Sequence, residues 1–448
     1  MTLKATAHSS KKSSHVRWFV LAVICIASSI LYILKTNLSI ASKTLMSDLG
    51  ITEIQLGFAF SATSWGYALF QFPGGIFGDK VGSRRALTIA ATLWGVFTLL
   101  TGLIPGPGII SIQLMLTILI ALRFLLGASQ APFFPIVGGT IGNWFPISGW
   151  ALPNGLSSSA LTLGTAATGP LMVWLLQASG WRESFFIIAP LGLIAALLWW
   201  LIVRDYPVEN PAVSESELKL IDSDRPPPID PSEQKGSWKL VIKDRNILLL
   251  TVSYFCMCYI FYLLYDWLFL YLVEVRHFTQ QTAGYLTALE WIVGAISATI
   301  GGYVCDRCAK KYGPRSGYRI VPVPALILTG VLLIGGAMVN NPYAAVLLLA
   351  LCCAFTQMSD CVYWGATASI AGRHTTEASG VLNTGGNAVG GIAALMVPIT
   401  AKYFGWVAAI STGSFFVIAA GLLWFLIKSD QPMAMEPLKI PGTLQNSH

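Results

Sequence analysis

The chain has 448 residues, of which 54% are hydrophobic and only 11% charged, with a formal net charge of +7. A soluble chain carries about 25% charged residues, and a mean hydropathy of +0.65 leaves too little polar surface to coat a water-facing globule. These values exclude a soluble enzyme or nucleic-acid-binding protein and make lipid the solvent.

A bilayer core about 30 Å thick calls for about 20 apolar residues per helix. In chain order, apolar runs fall near residues 17–41, 53–78, 86–104, 110–138, 150–177 and 184–203. Six more lie near 246–272, 281–304, 319–339, 343–371, 377–401 and 405–427. The expected fold is therefore an all-α membrane protein of twelve transmembrane helices. A lipid-facing barrel would show short alternating segments instead. The first run is too long for a cleaved signal peptide and has no A-x-A end, so it reads as helix 1.

The loops set the orientation. Of 28 basic residues, only Lys43, Arg182, Arg276 and Lys402 fall in loops on one side, and Lys35 and Arg123 fall inside spans. The others share the opposite side with both termini, which the positive-inside rule makes cytoplasmic. A basic tail with Lys4, Lys11, Lys12 and Arg17 belongs to this orienting charge.

The longest polar stretch runs from Arg204 to Arg245 and contains Pro226, Pro227 and Pro228. Too polar to bury a core, it reads as a linker with one short helix around Glu215 to Ile221. It divides the chain into a six-helix bundle over 1–203, a cytoplasmic linker over 204–245 and a second six-helix bundle over 246–448. A local repeat supports the division. Gly75, Gly78, Asp79, Lys80, Arg84 and Arg85 follow helix 2; Gly302, Asp306, Arg307, Lys310, Lys311 and Arg315 follow helix 8. Each copy sets small residues, an acid and bases at a tight turn. Asp79, Arg84, Asp306 and Arg307 are thus candidates for links that break and reform as the halves rock.

Five ionisable residues fall inside spans: Lys35, Arg123, Asp266, Glu290 and Asp360. A charge there costs about 2.5–3.5 kcal/mol on insertion scales and usually faces a cavity or a partner. Both bases are in the first half and all three acids in the second. Lys35 and Arg123 suit a carboxylate; alternatively Arg123 holds helices together. Asp266, Glu290 and Asp360 suit proton uptake, or a counter-charge to Lys35 across the interface while the site is empty; they could also meet an amine on the solute. Tyr67 and Gln71 share a face of helix 2, and Asn383 and Asn387 share one of helix 11, each pair one turn apart. Either pair can hydrogen-bond a hydroxylated solute or bridge packed helices. Glycines and serines between Gly155 and Gly169 read as helix packing. Cys305 and Cys308 form a lone C-x-x-C with no second pair and no histidine in any span, so no metal site is expected. No P-loop of G-x-x-x-x-G-K-[ST] form occurs, and no cofactor is expected.

The first cytoplasmic turn resembles the signature of the major facilitator superfamily. The segments Tyr32 to Ala41, Gly66 to Gly75, Leu122 to Pro135 and Gly380 to Gly386 resemble its anion:cation symporter family. That family includes bacterial sugar-acid transporters and the vesicular glutamate and sialic-acid carriers of animals. The resemblance implies alternating access, a polar site between the halves, and acids on helices 1 and 4 as proton carriers. Where bacterial members carry Asp-Arg, this chain has Leu34-Lys35; the usual Glu of helix 4 is Gln130, while its Arg survives as Arg123. Neutral Leu and Gln cannot take up a proton, which shifts coupling toward the second half. Gln130 is kept as a candidate solute contact.

The expected function is secondary active, proton-coupled import of a small organic anion by a monomer in a bacterial inner membrane. The rivals are an amphoteric solute such as an amino acid or siderophore-like chelator, an exporter, and a membrane solute sensor. An enzyme is not expected.

Overall fold

A computed structural model describes residues 14–146, 149–223, 237–431 and 433. Lys4, Lys11 and Lys12, the Pro226–Pro228 run and the chain beyond 433 lie outside the described residues. The first half consists of α1 (Val16–Leu49), α2 (Glu53–Val81), α3 (Ser83–Gly102), α4 (Ile112–Gln130), α5 (Phe133–Trp144), α6 (Ala151–Ser179), α7 (Trp181–Ile188) and α8 (Pro190–Ile202). The polar stretch that follows carries α9 (Glu215–Ile221), as the sequence suggested, and a further helix, α10 (Ser237–Lys243). The second half consists of α11 (Arg245–Glu274), α12 (Gln280–Ile320), α13 (Pro322–Met338), α14 (Pro342–Ala371) and α15 (Thr375–Leu423). Among the described residues, nine helical stretches are long and apolar enough to cross a membrane.

Local chemistry sets the boundaries. Thr52 and Gln55 form a capping box at the start of α2, and Ser111, Asp244, Thr279 and Asn341 cap α4, α11, α12 and α14 through their side chains. Such caps satisfy amides that a helix start leaves orphaned. Two expected spans are each split. Pro132 separates α4 from α5, and Pro190 stands between α7 and α8, because proline offers no amide to the preceding turn. Conversely, α12 and α15 run through expected turns, bending at Gly313 (φ 78°) and Gly405 (φ 83°). Only glycine adopts that conformation readily, so each long helix is two arms about one glycine hinge. The arm after Gly313 begins at Pro314, five residues before the expected start at 319.

Helices within each half pack mainly on one another: α1 on α6, α2 on α4 and α3 on α8 in the first, α11 on α15 and α12 on α14 in the second. Glycine permits the closest crossings. Gly66 backs onto Phe124, Gly127 onto Thr63, and Gly164 onto Ser29. With little hydrophobic drive between helices in lipid, such contacts and interhelical hydrogen bonds supply the association. Outward faces keep large apolar groups such as Phe415 (74% exposed).

The halves meet along α2–α15, α6–α12 and α1–α11. At the end away from the linker, a Cβ built on Gly57 would lie 2.6 Å from the Ala394 carbonyl oxygen. Ser61 donates to the Gly391 carbonyl at 2.8 Å, Trp65 covers Gly391, and Phe60 meets Trp267 edge-on at 5.3 Å. Lys43 pairs with Glu274 beyond them. Toward the linker the same faces part. Phe72 on α2 is exposed, as are Thr384 and Gly380 on α15. Gly169 touches Gly284, whereas Gly155, further along α6, has open space around it. The molecule is a V, closed at the far end and open toward the linker.

Candidate functional site

The site sits where the V closes. α1 presents Tyr32, Lys35, Thr36 and Ser39 at spacings of three and four, one helical face turned to α11. The Thr36 hydroxyl lies 2.7 Å from the Tyr265 hydroxyl, and Ser39 donates to the carbonyls of Tyr265 at 3.0 Å and Asp266 at 2.9 Å. These contacts fix α1 against α11 and bring Lys35 opposite Asp266.

Lys35 is 8% exposed, Asp266 5% and Arg123 1%. The three share one cavity with Leu38, Phe60, Thr63, Ser64 and Tyr265. The resemblance implied a polar site between the halves; in this conformation the enclosed space holds about one water molecule. It is small because Phe60 and Tyr265 fill the apex from opposite halves.

Lys35 Nζ is surrounded by four tyrosine rings. Tyr67 lies 4.4 Å away, Tyr32 5.4 Å, and Tyr262 and Tyr265 5.9 Å each. Two rings come from each half. Ring quadrupoles hold a cation without neutralising it. Among the described residues no carboxylate oxygen comes within 4.0 Å of Nζ. Asp266 Oδ2 is buried without a hydrogen-bond partner.

Arg123 gives both terminal nitrogens, at 3.1 Å each, to Oδ1 of Asn37 on α1, and stands 5.4 Å from the Phe185 ring. Its Nε has no partner. Gln130 donates to the Leu31 carbonyl at 3.4 Å, one residue before Tyr32, with its own oxygen unpartnered. Gln71 is buried with Oε1 unpartnered. Tyr262 donates to Asn387 Oδ1 at 2.7 Å, and Asn387 donates to the Asn383 carbonyl at 2.7 Å and its side-chain oxygen at 3.0 Å. This chain ties the α15 asparagines to the tyrosine cage. Buried polar atoms without partners are rare in folded proteins, and two of them, Asp266 Oδ2 and Arg123 Nε, belong to residues that line this cavity.

The other two acids lie apart from the cavity. Asp360 accepts from the Tyr254 hydroxyl at 3.0 Å and the Trp364 indole at 3.3 Å. Glu290 is buried on α12, with one carboxyl oxygen unpartnered. At the linker end, Arg84 Nε donates to the Trp200 carbonyl at 2.9 Å and its guanidinium lies 4.0 Å over the Trp200 ring. The start of α3 is met by Asp205, which accepts from the Arg84 amide at 2.8 Å and the Ser83 hydroxyl at 2.9 Å. Asp79 and Asp306 are exposed, and Arg307 lies 4.6 Å from the Tyr303 ring.

Sequence reasoning missed Tyr32, Tyr262 and Tyr265 as site residues, and Asn37 as the partner of Arg123. A signal existed for the rings: Tyr32 stands one turn before Lys35, and Tyr262 and Tyr265 bracket the turn before Asp266.

A many-helix membrane protein split by a V, with opposite charges buried at its apex, is the architecture of a carrier. The chain belongs to the Major Facilitator Superfamily, whose family model matches residues 24–394. It is 30% identical over 420 residues to the probable sulfoacetate transporter SauU of Cupriavidus necator, covering 92% of this chain and 93% of that one. It is 30% identical over 413 residues to the probable galactarate/D-glucarate transporter GudP of Bacillus subtilis, covering 90% and 88%. The D-galactonate transporter of Escherichia coli is 28% identical over 429 residues, with 94% and 97% covered. Among solved structures, an inward-facing bacterial homologue of the human lysosomal transporter Spinster superposes with a TM-score of 0.74 at 15% identity, covering 93% and 97%. The D-xylose-proton symporter gives 0.72 at 13%, covering 93% and 98%. At these identities the two structures bear on the fold alone. The chain is thus a multi-pass integral membrane transporter, not an enzyme, with relatives named for sugar acids, as the sequence resemblance implied.

Proposed function

We propose that the protein imports a small organic anion, a carboxylate of the sugar-acid kind, by alternating access coupled to protons. The observation that carries this reading is the shared buried cavity in which Lys35 and Arg123 of the first half face Asp266 of the second. Lys35 receives the carboxylate and Arg123 adds field from its seat on Asn37. Tyr67, Gln71, Gln130, Asn383 and Asn387 supply hydrogen bonds to the rest of the solute. The relatives named for galactarate, D-glucarate and D-galactonate support the same reading.

Twelve spans in two six-helix bundles, 1–203 and 246–448, joined by 204–245, fit the helices if α4–α5 and α7–α8 each make one crossing. Gly405 then divides α15 into two crossings, while the short arm of α12 after Gly313 continues into α13 to make a single one. With both termini and the linker cytoplasmic in a bacterial inner membrane, the V opens inward. Asp79, Arg84, Asp306 and Arg307 lie at the open end, where contacts must form when it closes. The protein acts as a monomer. Protons enter through the second-half acids Asp266, Glu290 and Asp360, since Leu34 and Gln130 cannot carry them.

A second reading, an amphoteric solute whose amine meets an acid, is favoured by one observation, the unpartnered Oδ2 of Asp266.

Proteoliposomes holding the whole protein should accumulate radiolabelled D-galactonate against its gradient when the outside is made acidic. Lys35→Gln should abolish the uptake. Binding without accumulation would make the protein a sensor. Accumulation driven only in the outward sense would make it an exporter, and accumulation unaltered in K35Q would remove Lys35 from the site.

A further inference from the structure

We propose that Lys35 exchanges two carboxylates during the cycle, the solute's while Asp266 holds a proton and that of Asp266 once the proton has left. Proton and anion are thereby carried together. The inference rests on the carboxylate reading above and deepens it by assigning the coupling step to Asp266.

The two groups stand on opposite halves in one cavity, and both are more than nine-tenths buried. Ser39 on α1 donates to the backbone carbonyls of Tyr265 and Asp266, so the turn that carries the acid is held against the helix that carries the lysine. Yet no ion pair among the described residues joins them. Lys35 Nζ rests on tyrosine rings, and Asp266 Oδ2 has no hydrogen-bond partner. A buried carboxylate left without a cation or a donor is strongly disfavoured. The arrangement therefore fits Asp266 as the neutral acid, with Lys35 open to a solute.

The surrounding groups leave the exchange to this pair. Arg123 of α4 has both terminal nitrogens on Asn37. Phe60, Thr63 and Ser64 of α2 line the cavity without an acid or a base. Tyr67 of α2 and Tyr262 and Tyr265 of α11 are phenols, which keep their protons well above neutral pH. Asn387 of α15 is neutral, and Glu290 of α12 and Asp360 of α14 lie outside the cavity. When Asp266 gives its proton to water in the open cleft, its carboxylate takes the ammonium, a point charge on a flexible stem. The solute then leaves with its own charge. On the outer side a proton from water restores the acid and frees the lysine for the next carboxylate. The O–H of Asp266 is the one bond made and broken.

Purified full-length protein is titrated with D-galactonate from pH 6 to pH 9, a range in which the sugar acid itself stays ionised. Wild-type affinity should fall by about tenfold or more across it. Infrared difference spectra at pH 9 should show a protonated-carboxyl band appear as D-galactonate binds. Asp266→Asn, which mimics the protonated acid, should bind equally well from pH 6 to pH 9 and lose that band. In proteoliposomes it should still exchange labelled for unlabelled D-galactonate, but not accumulate it when the outside is acidic. A wild-type affinity that ignores pH, or wild-type spectra without the band, would overturn the exchange without recourse to any variant. A pH dependence that persists in folded D266N would overturn it too, by placing the proton on Lys35 or on another acid. If D-galactonate, galactarate, lactate and malonate all fail to bind at any pH, the carboxylate reading falls and the exchange falls with it. Binding that takes up no proton removes the exchange alone.

Discussion

Arg123 and Asn37 are locked together by a single atom: Oδ1 of Asn37 accepts from both terminal nitrogens of the guanidinium at 3.1 Å. A buried cation on α4 is thereby oriented by an amide on α1, two residues beyond Lys35, and its charge stays available to the cavity because its partner is neutral.

Removing that amide strands a buried charge, which typically costs about 3 kcal/mol or more. Asn37→Ala should lower the melting temperature of purified protein by several degrees and weaken anion binding. Asn37→Asp should restore the melting temperature while leaving anion affinity poor, since an acid there neutralises Arg123. Wild-type affinity in N37D would refute the claim that the charge of Arg123 acts on the solute.

The cage at Lys35 predicts a graded series. A cation–π contact to a desolvated ammonium is worth about 1–2 kcal/mol, so Tyr67→Leu should raise the apparent KM for the anion several-fold. Lys35→Arg should transport poorly, because a flat fork does not fit the pocket of a point charge. Equal uptake by wild type and Y67L, measured in the same vesicles, would separate the nearest ring from the function of the lysine.

Gly57 is a wedge point. A Cβ there would sit 2.6 Å from the Ala394 carbonyl oxygen and 3.1 Å from the Pro398 ring, so the closed far end admits no side chain at this position. Gly57→Val should hold the far end apart and abolish net uptake. Spin labels flanking Lys43 and Glu274 should report a longer separation than in the parent. Normal uptake with normal distances would show that the halves do not need this contact.

Asp205 caps α3 through the Ser83 hydroxyl and the Arg84 amide. Losing such a cap costs about 1 kcal/mol. Asp205→Ala should lower the melting temperature by a few degrees without changing which anion is carried. A changed specificity would mean that this end of the molecule reaches the apex.

How much of this was legible in the sequence follows from what each feature depends on. Apolar run length is a local property, so the helices were visible, and Glu215–Ile221 was found to the residue. The breaks at Pro132 and Pro190 and the continuity through Gly313 and Gly405 were not, because a proline or a glycine alone does not say whether a helix bends, splits or ends. Lys35, Arg123 and Asp266 stood out because a charge in lipid demands a reason. Asp360 and Glu290 stood out equally, yet they lie outside the cavity: intramembrane charge reports burial, not direction. The rings around Lys35 stayed hidden for the opposite reason. Tyrosine is ordinary in a membrane helix, and that Tyr32 and Tyr67 meet Tyr262 and Tyr265 is decided by how α1 and α2 dock on α11, far away in the chain.

Those four rings have a consequence for the working cycle. Tyr32 and Tyr67 travel with the ammonium they shelter, while Tyr262 and Tyr265 belong to the opposing body. Any tilt that unseals the apex strips half of the aromatic wrapping from the lysine and bares it to an arriving solute. The same tilt leaves an unloaded lysine poorly sheltered, so an empty molecule is restrained from swinging and a loaded one is released. Under the proposed carboxylate reading, coupling of movement to cargo follows from the way one side chain is wrapped.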